Sequence, residues 1–111
     1  MIGIDILDVE RMEKEISRKG FVDRLFFQEE IQYANSNSQP AIHFAGFFCV
    51  KESVVKAVGA GLVREVKVLH NEHGKPYVEL YGKIKEIVGN KRVEISITHE
   101  IDYAMAICKI D

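Results

Sequence analysis

Residues 47–59, Phe-Phe-Cys-Val-Lys-Glu-Ser-Val-Val-Lys-Ala-Val-Gly, read as a helix that is apolar on most of its circumference, and the rest of a small chain has to enclose such a helix. Yet Glu52 and Lys56, at i and i+4, project a carboxylate and an ammonium from one face. Charges set into a mostly buried helix cost free energy unless a partner, a metal or a ligand compensates them. Two other charged or polar groups end apolar runs elsewhere: Asp5 after Met1-Ile2-Gly3-Ile4, and His99 after Ile95-Ser96-Ile97-Thr98. A fold that gathers these places holds two carboxylates, a lysine and an imidazole.

The remaining periodicity says how the helix is enclosed. Residues 2–6 read as a short strand, and Asp8 as the cap of a helix reaching about Lys19, with Gly20 as its stop. Phe21 to Tyr33 carries apolar residues at helical spacing, as one or two short helices. The polar loop Asn35–Gln39 ends at Pro40, which suits the first turn of a long helix over 41–58 closing at Gly59. Beyond Gly61 the period changes to alternation. Val66 and Val68 face Tyr77, Val78 and Leu80 across the turn His73-Gly74-Lys75-Pro76, a short helix follows over Lys83–Val88, and 93–97 pairs with 103–107 as a second hairpin. The expected fold is α+β, a long central helix packed against a mostly antiparallel sheet, formed by one domain over residues 1–111.

Composition excludes several classes. A net charge of −2 gives no general affinity for nucleic acid, and no apolar run approaches a membrane span. With no basic segment and long apolar core at the N-terminus, the expectation is a soluble cytoplasmic protein. Cys49 and Cys108 have no CxxC spacing and read as two reduced structural thiols.

Asp5 and Glu52, brought together without a cation, would repel until one took up a proton. A hard divalent ion resolves that conflict, since Mg²⁺ takes one or two protein carboxylates, keeps waters and completes its shell with phosphate oxygens. Lys56 lies at the negative end of its helix, where a phosphate needs explicit cations; alternatively it is a plain i,i+4 ion pair. Gly59 and Gly61 read as a helix terminator, Gly74-Lys75-Pro76 as a hairpin turn whose first residue lets a ligand approach the backbone, and His99 as a lone strand-end imidazole. His43, His70 and His73 have no metal-ligand spacing.

Taken as an ordered set, Gly3-Ile4-Asp5, Arg11, Phe21, Arg24, Ala45-Gly46, Phe48, Lys51 through Gly61, Gly74-Lys75-Pro76 and Ser96-Ile97-Thr98-His99 resemble the holo-[acyl-carrier-protein] synthases from the first residues to the last strand. The resemblance implies a 4′-phosphopantetheinyl transferase fold and activity: the phosphopantetheine arm of coenzyme A passes to a serine of an apo acyl carrier protein, releasing adenosine 3′,5′-bisphosphate. It further implies Mg²⁺ on Asp5 and Glu52, Lys56 on the pyrophosphate, and a nucleotide pocket formed with Gly59, Gly61, Gly74, Lys75, Pro76, Ser96, Thr98 and His99. The small members of the family are similar to one another in forming homotrimers with the coenzyme A site between subunits. Glu52, a metal-bound water or His99 would take the serine proton, Glu52 or a water it orients being favoured and His99 then a phosphate contact. Arg11, Lys14, Arg18 and Arg24, with Met12 or Ile16, would meet the acidic carrier, although Glu10, Glu13, Glu15 and Asp23 interrupt that surface. Two departures stand out: Phe47 follows Ala-Gly where relatives commonly have arginine, and Asn35–Gln39 replaces a basic loop often found upstream, which leaves a phosphate or carrier contact either missing or supplied elsewhere. The alternative is a coenzyme A or carrier-binding module of the same fold that does not catalyse, and the resemblance leaves open whether fatty-acid synthesis or another pathway supplies the carrier.

Overall fold

In chain order the computed structural model, which describes residues 1–111, runs β1 (Ile2–Asp8), α1 (Val9–Ile16), α2 (Phe21–Leu25), α3 (Gln28–Asn35), α4 (Pro40–Val58), a 3₁₀ turn (Val63–Glu65), β2 (Val66–His70), β3 (Pro76–Leu80), α5 (Gly82–Val88), β4 (Val93–His99) and β5 (Tyr103–Ile110). Pro40 opens α4, where its missing N–H removes a donor that would have no helical partner. Gly59 ends it in the left-handed conformation at φ 82°, donating its N–H to the Val55 carbonyl at 2.7 Å. Between those ends Phe44, Ala45, Phe47, Cys49, Val50 and Val54 are buried, so the helix is the axis of the core. Burying each aliphatic or aromatic side chain contributes roughly 1.5–3 kcal/mol against exposure, which is why this segment organises the chain despite having few charges.

Two antiparallel sheets wrap it, where the sequence suggested one. The larger has the order β1-β5-β4 and the smaller pairs β2 with β3. In the larger sheet Asp5 stands opposite Ala106, and Ala106 opposite Ile97; Leu7, Ala104 and His99 form the next such row. Gly3, Ala104, Ala106 and Cys108 face α4, whereas Ile2, Ile4, Ile6, Tyr103 and Ile107 lie on the opposite face and are exposed. Gly3 explains how closely β1 approaches: a Cβ there would collide with the Ser53 carbonyl oxygen and come within 2.7 Å of the Ala57 nitrogen. Strand and helix meet backbone to backbone.

The local boundaries differ from expectation most at the end of α1. Asp8 caps α1 as expected, its Oδ1 accepting from the Arg11 N–H at 3.2 Å, but the helix stops at Ile16 with Ser17 as its cap. Gly20 therefore does not end α1; at φ 82° it opens α2. Phe21–Tyr33 resolves into two helices, β1 extends to Asp8, and both cysteines are free and buried.

Below this frame lies a sealed ion pair. Lys51 of α4 and Glu30 of α3 are both 0% exposed, with Nζ 2.9 and 2.8 Å from the two carboxylate oxygens and 2.6 Å from the Val66 carbonyl. Glu30 in turn accepts from the Phe27 N–H at 2.8 Å and the Val68 N–H at 2.7 Å, and the rings of Phe26 and Phe27 flank the ammonium. Burial pushes the Lys51 ammonium down and Glu30 pulls it back up. Every polar atom of the pair has a partner, so it ties α3, α4 and β2 without an unpaired buried charge.

Candidate functional site

Asp5 belongs to the α4-facing side of β1, between Gly3 and Leu7, and the close strand–helix approach carries its carboxylate to the helix. There Lys56 Nζ bonds Asp5 Oδ1 at 3.0 Å and the Ile4 carbonyl at 3.1 Å. The Asp5 side chain is only 16% exposed while that of Lys56 is 53% exposed, so the lysine reaches in from solvent. Glu52, one turn earlier on α4, is half-buried beside Asp5. Burial first, and the Asp5 charge second, raise its carboxyl above the usual range, with Lys56 opposing them. Two carboxylates and an ammonium, expected from residues far apart in sequence, thus occupy one place.

They open on a pocket of about 290 Å³ whose wall includes Asp5, Leu7, Arg11, Met12, Phe48 and Glu52. Cys49 lies behind them, donating to the Ala104 carbonyl at 3.4 Å; burial and then the Asp5 charge push its thiol to about 12. At neutral pH it is a protonated packing group, and the hard oxygen donors of Asp5 and Glu52 are what the pocket offers a cation.

The other expected site residues scatter over three further locations. Gly59 caps α4 just beyond Lys56, but Gly61, at φ 93°, fits against Ile84 and Glu65, where a Cβ would collide. Gly74 turns the β2–β3 hairpin at φ 81°, and Lys75 and Pro76 line a separate pocket of about 330 Å³ with Asn71 and Tyr77. Asn71 builds that turn, its Oδ1 accepting from the His73 and Lys75 N–H groups at 2.9 and 3.0 Å. Ser96 and Thr98 face outward with Ile4 and Ile6, whereas His99, by strand alternation, lies on the inner side. Of the basic residues, Arg11 lines the Asp5–Glu52 pocket, Lys14 and Arg18 pair with Glu10 and Glu15 of their own segment at 3.8 and 2.9 Å, and Arg24 sits on α2. Met12 is 2% exposed; it is a core residue forming pocket wall, not an outer contact for a partner. Ile16 is half-buried.

His99 has neighbours that spacing did not reveal. It shares a pocket of about 220 Å³ with His43 of α4 and His70 of β2, and with Tyr33 and Phe47. Tyr33 and His70 stack at 4.0 Å with 7° between planes, and His43 lies 6.2 Å from His99. Phe47 is buried in that wall and brings no charge to it.

Comparison with known proteins narrows what such a site does. Residues 1–108 match the family model described as the 4′-phosphopantetheinyl transferase superfamily. A holo-[acyl-carrier-protein] synthase of Caldanaerobacter subterraneus subsp. tengcongensis is 40% identical, covering 96% of this chain and 90% of its own, and one of Fusobacterium nucleatum is 36% identical over 98% and 96%. Among solved structures, the Helicobacter pylori holo-[acyl-carrier-protein] synthase in complex with coenzyme A superposes with a TM-score of 0.85 at 26% identity, covering 100% of both chains.

Proposed function

The chain belongs to the 4′-phosphopantetheinyl transferase superfamily, and from that premise we propose the specific reaction of its site: transfer of the phosphopantetheine arm of coenzyme A to a serine of an apo acyl carrier protein. It is an enzyme, and adenosine 3′,5′-bisphosphate is the leaving product. The observation that carries the reading is the meeting of three groups: Asp5 and Glu52 share one pocket wall, and the Lys56 ammonium bonds Asp5. Two neighbouring carboxylates, one of them pushed towards its neutral form by burial and then by the other's charge, suit a hard divalent cation better than they suit each other. Asp5 and Glu52 would hold Mg²⁺, which when bound supplies positive charge to the diphosphate oxygens.

The chain's own residues do the rest. The serine oxygen bonds to the phosphorus bearing pantetheine as the bond from that phosphorus to the bisphosphate oxygen breaks. Lys56, anchored by the Ile4 carbonyl, exchanges its bond to Asp5 for a phosphate oxygen and offsets the charge growing on the leaving group. Glu52 takes the serine proton directly or through one water that it orients. His99 is on the far side of β5 from Asp5 and serves as a phosphate contact.

Three finer features belong to the same reading. Kinship with the small members of the family implies a homotrimer with its coenzyme A sites between subunits, and the exposed apolar face of Ile2, Ile4, Ile6, Tyr103 and Ile107 suits packing against other copies. On this reading Ser96 and Thr98, on that same face, look towards a neighbouring copy. The carrier docks beside Arg11, with Lys14, Arg18 and Arg24 steering an acidic partner from further out. The whole chain acts as one transferase domain in the cytoplasm; no helix is long and apolar enough to cross a membrane.

Mass spectrometry of apo carrier incubated with this protein, coenzyme A and Mg²⁺ tests the proposal. A gain equal to the phosphopantetheine arm on the carrier serine is expected. An unchanged carrier mass, despite bound coenzyme A, would leave only a binding module.

A further inference from the structure

The wall of the Asp5–Glu52 pocket holds one acid that the transfer chemistry leaves unused. Glu15 lines it beside Asp5, Glu52 and Arg11, so three carboxylates share the wall with a single guanidinium. Glu15 stands in the last turn of α1, one turn beyond Arg11 on the same helix face, where the helix dipole disfavours an acid. What holds it there is Arg18, whose Nη1 donates to Glu15 Oε2 at 2.9 Å while the Arg18 N–H donates to the Glu15 carbonyl at 3.1 Å. The Glu15 side chain is 29% exposed and that of Arg18 66%, so the pair joins an acid at the pocket to a cation that faces solvent. The neighbouring Glu10–Lys14 pair is looser, at 3.8 Å with both side chains more than three-quarters exposed, and solvent screens it.

Residues 8–24, which span the basic groups assigned to carrier docking, hold five acids and five bases and so carry no net charge. An acidic partner gains nothing from that sum; it depends on which cations are free. A carboxylate arriving at Arg18 exchanges one ion pair for another, and it then meets the displaced Glu15 charge beside it. We propose that Glu15 is a built-in competitor for the acidic carrier: it occupies Arg18 as a carrier carboxylate would, and so keeps docking weak. This rests on the carrier docking described above and sets its strength. The acids on the carrier surface are the same before and after the arm is attached, so the competition weakens substrate and product carrier alike. Such uniform weakening does not touch the chemical step, and it shortens the stay of the modified carrier on the enzyme.

The test is calorimetric titration of wild type and Glu15→Gln with acyl carrier protein, in its apo and its phosphopantetheine-bearing forms. At about 0.05 M NaCl the variant should bind both forms about three- to tenfold more tightly, and at about 0.5 M the gain should shrink below about twofold. In an Arg18→Gln background the same Glu15→Gln change should yield less than about twofold, because the contested cation is gone. Unchanged or weaker carrier binding by Glu15→Gln overturns the proposal, and so does a gain of equal size without Arg18. Since both variants alter the end of α1, NMR of the wild-type Arg18 side-chain N–H gives a second reading: its resonance must shift when carrier saturates the protein, and an unmoved resonance overturns the exchange. Transfer onto the carrier with equal affinities for wild type and Glu15→Gln sinks the competitor and leaves the enzyme standing; absence of both carrier binding and transfer sinks both.

Discussion

Two lysine–carboxylate pairs on α4, one turn and a half apart, have opposite characters. Lys51 and Glu30 are sealed, and every lone pair and N–H between them is used. Lys56 and Asp5 are open at one end, with Glu52 crowding the same space and its carboxyl held above its usual range. The same chemical groups on the same helix serve as a tie where water is excluded and all partners are present, and as a site where one carboxylate is left over. An unresolved electrostatic conflict in a pocket, and not the bare presence of charge in a helix, is what marks the open pair as the proposed site.

The largest effect expected from breaking this contrast is in stability. Glu30→Ala leaves the buried Lys51 ammonium unpaired and should cost about 3–5 kcal/mol, read from urea unfolding. The double variant Lys51→Met with Glu30→Leu should recover only part of that, because the Phe27 and Val68 N–H groups and the Val66 carbonyl still lose their partners. A Glu30→Ala midpoint indistinguishable from wild type would show that the pair is no tie at all.

At the open pair the effects move to catalysis. Glu52→Gln should lower kcat about 10²–10³-fold in the carrier-transfer assay, as removal of a transition-state group does elsewhere, while leaving the melting temperature at neutral pH unchanged or higher. A large loss of melting temperature with kcat intact would reverse the two roles. Lys56→Ala should reduce kcat/KM on the order of tenfold to a hundredfold, and Lys56→Arg should retain more of it, since the charge survives but its geometry does not.

The smallest effect is a pH dependence. Glu52 has a folded value above the unfolded 4.5, so the folded state binds more protons and stability falls as pH rises from that value through the raised one. Melting of wild type against Glu52→Gln without divalent cation should therefore diverge above that window and converge below it, and Mg²⁺ should narrow the gap at pH 7. Parallel curves across the whole range would mean that burial and the Asp5 charge do not raise Glu52.

The sequence carried the open pair further than the sealed one, for a physical reason. Glu52 and Lys56 announce themselves by i,i+4 spacing, and Asp5 by ending an apolar strand; β1, α4 and the two hairpins follow from alternation, Pro40 and Gly59. Lys51 was legible only as part of a motif, because its partner lies on α3 and burial of that helix face depends on how α3 and β2 fold over it. The histidine pocket was hidden similarly: His43, His70 and His99 have no local spacing and meet only because the small sheet packs beside the large one. Gly20 misled because a left-handed glycine can precede a helix as readily as follow one. The split into two sheets has no signature in alternation, which reports faces and not neighbours.

Gly3 has a consequence beyond tight packing. With main chain resting on main chain, the height of Asp5 above Glu52 is gauged by peptide groups, whose dimensions cannot vary, and not by side chains that drift from one homologue to another. The core around α4 can therefore trade one hydrophobe for another without moving the two acids apart, whereas even a methyl group at residue 3 would lift the strand and reset the gauge.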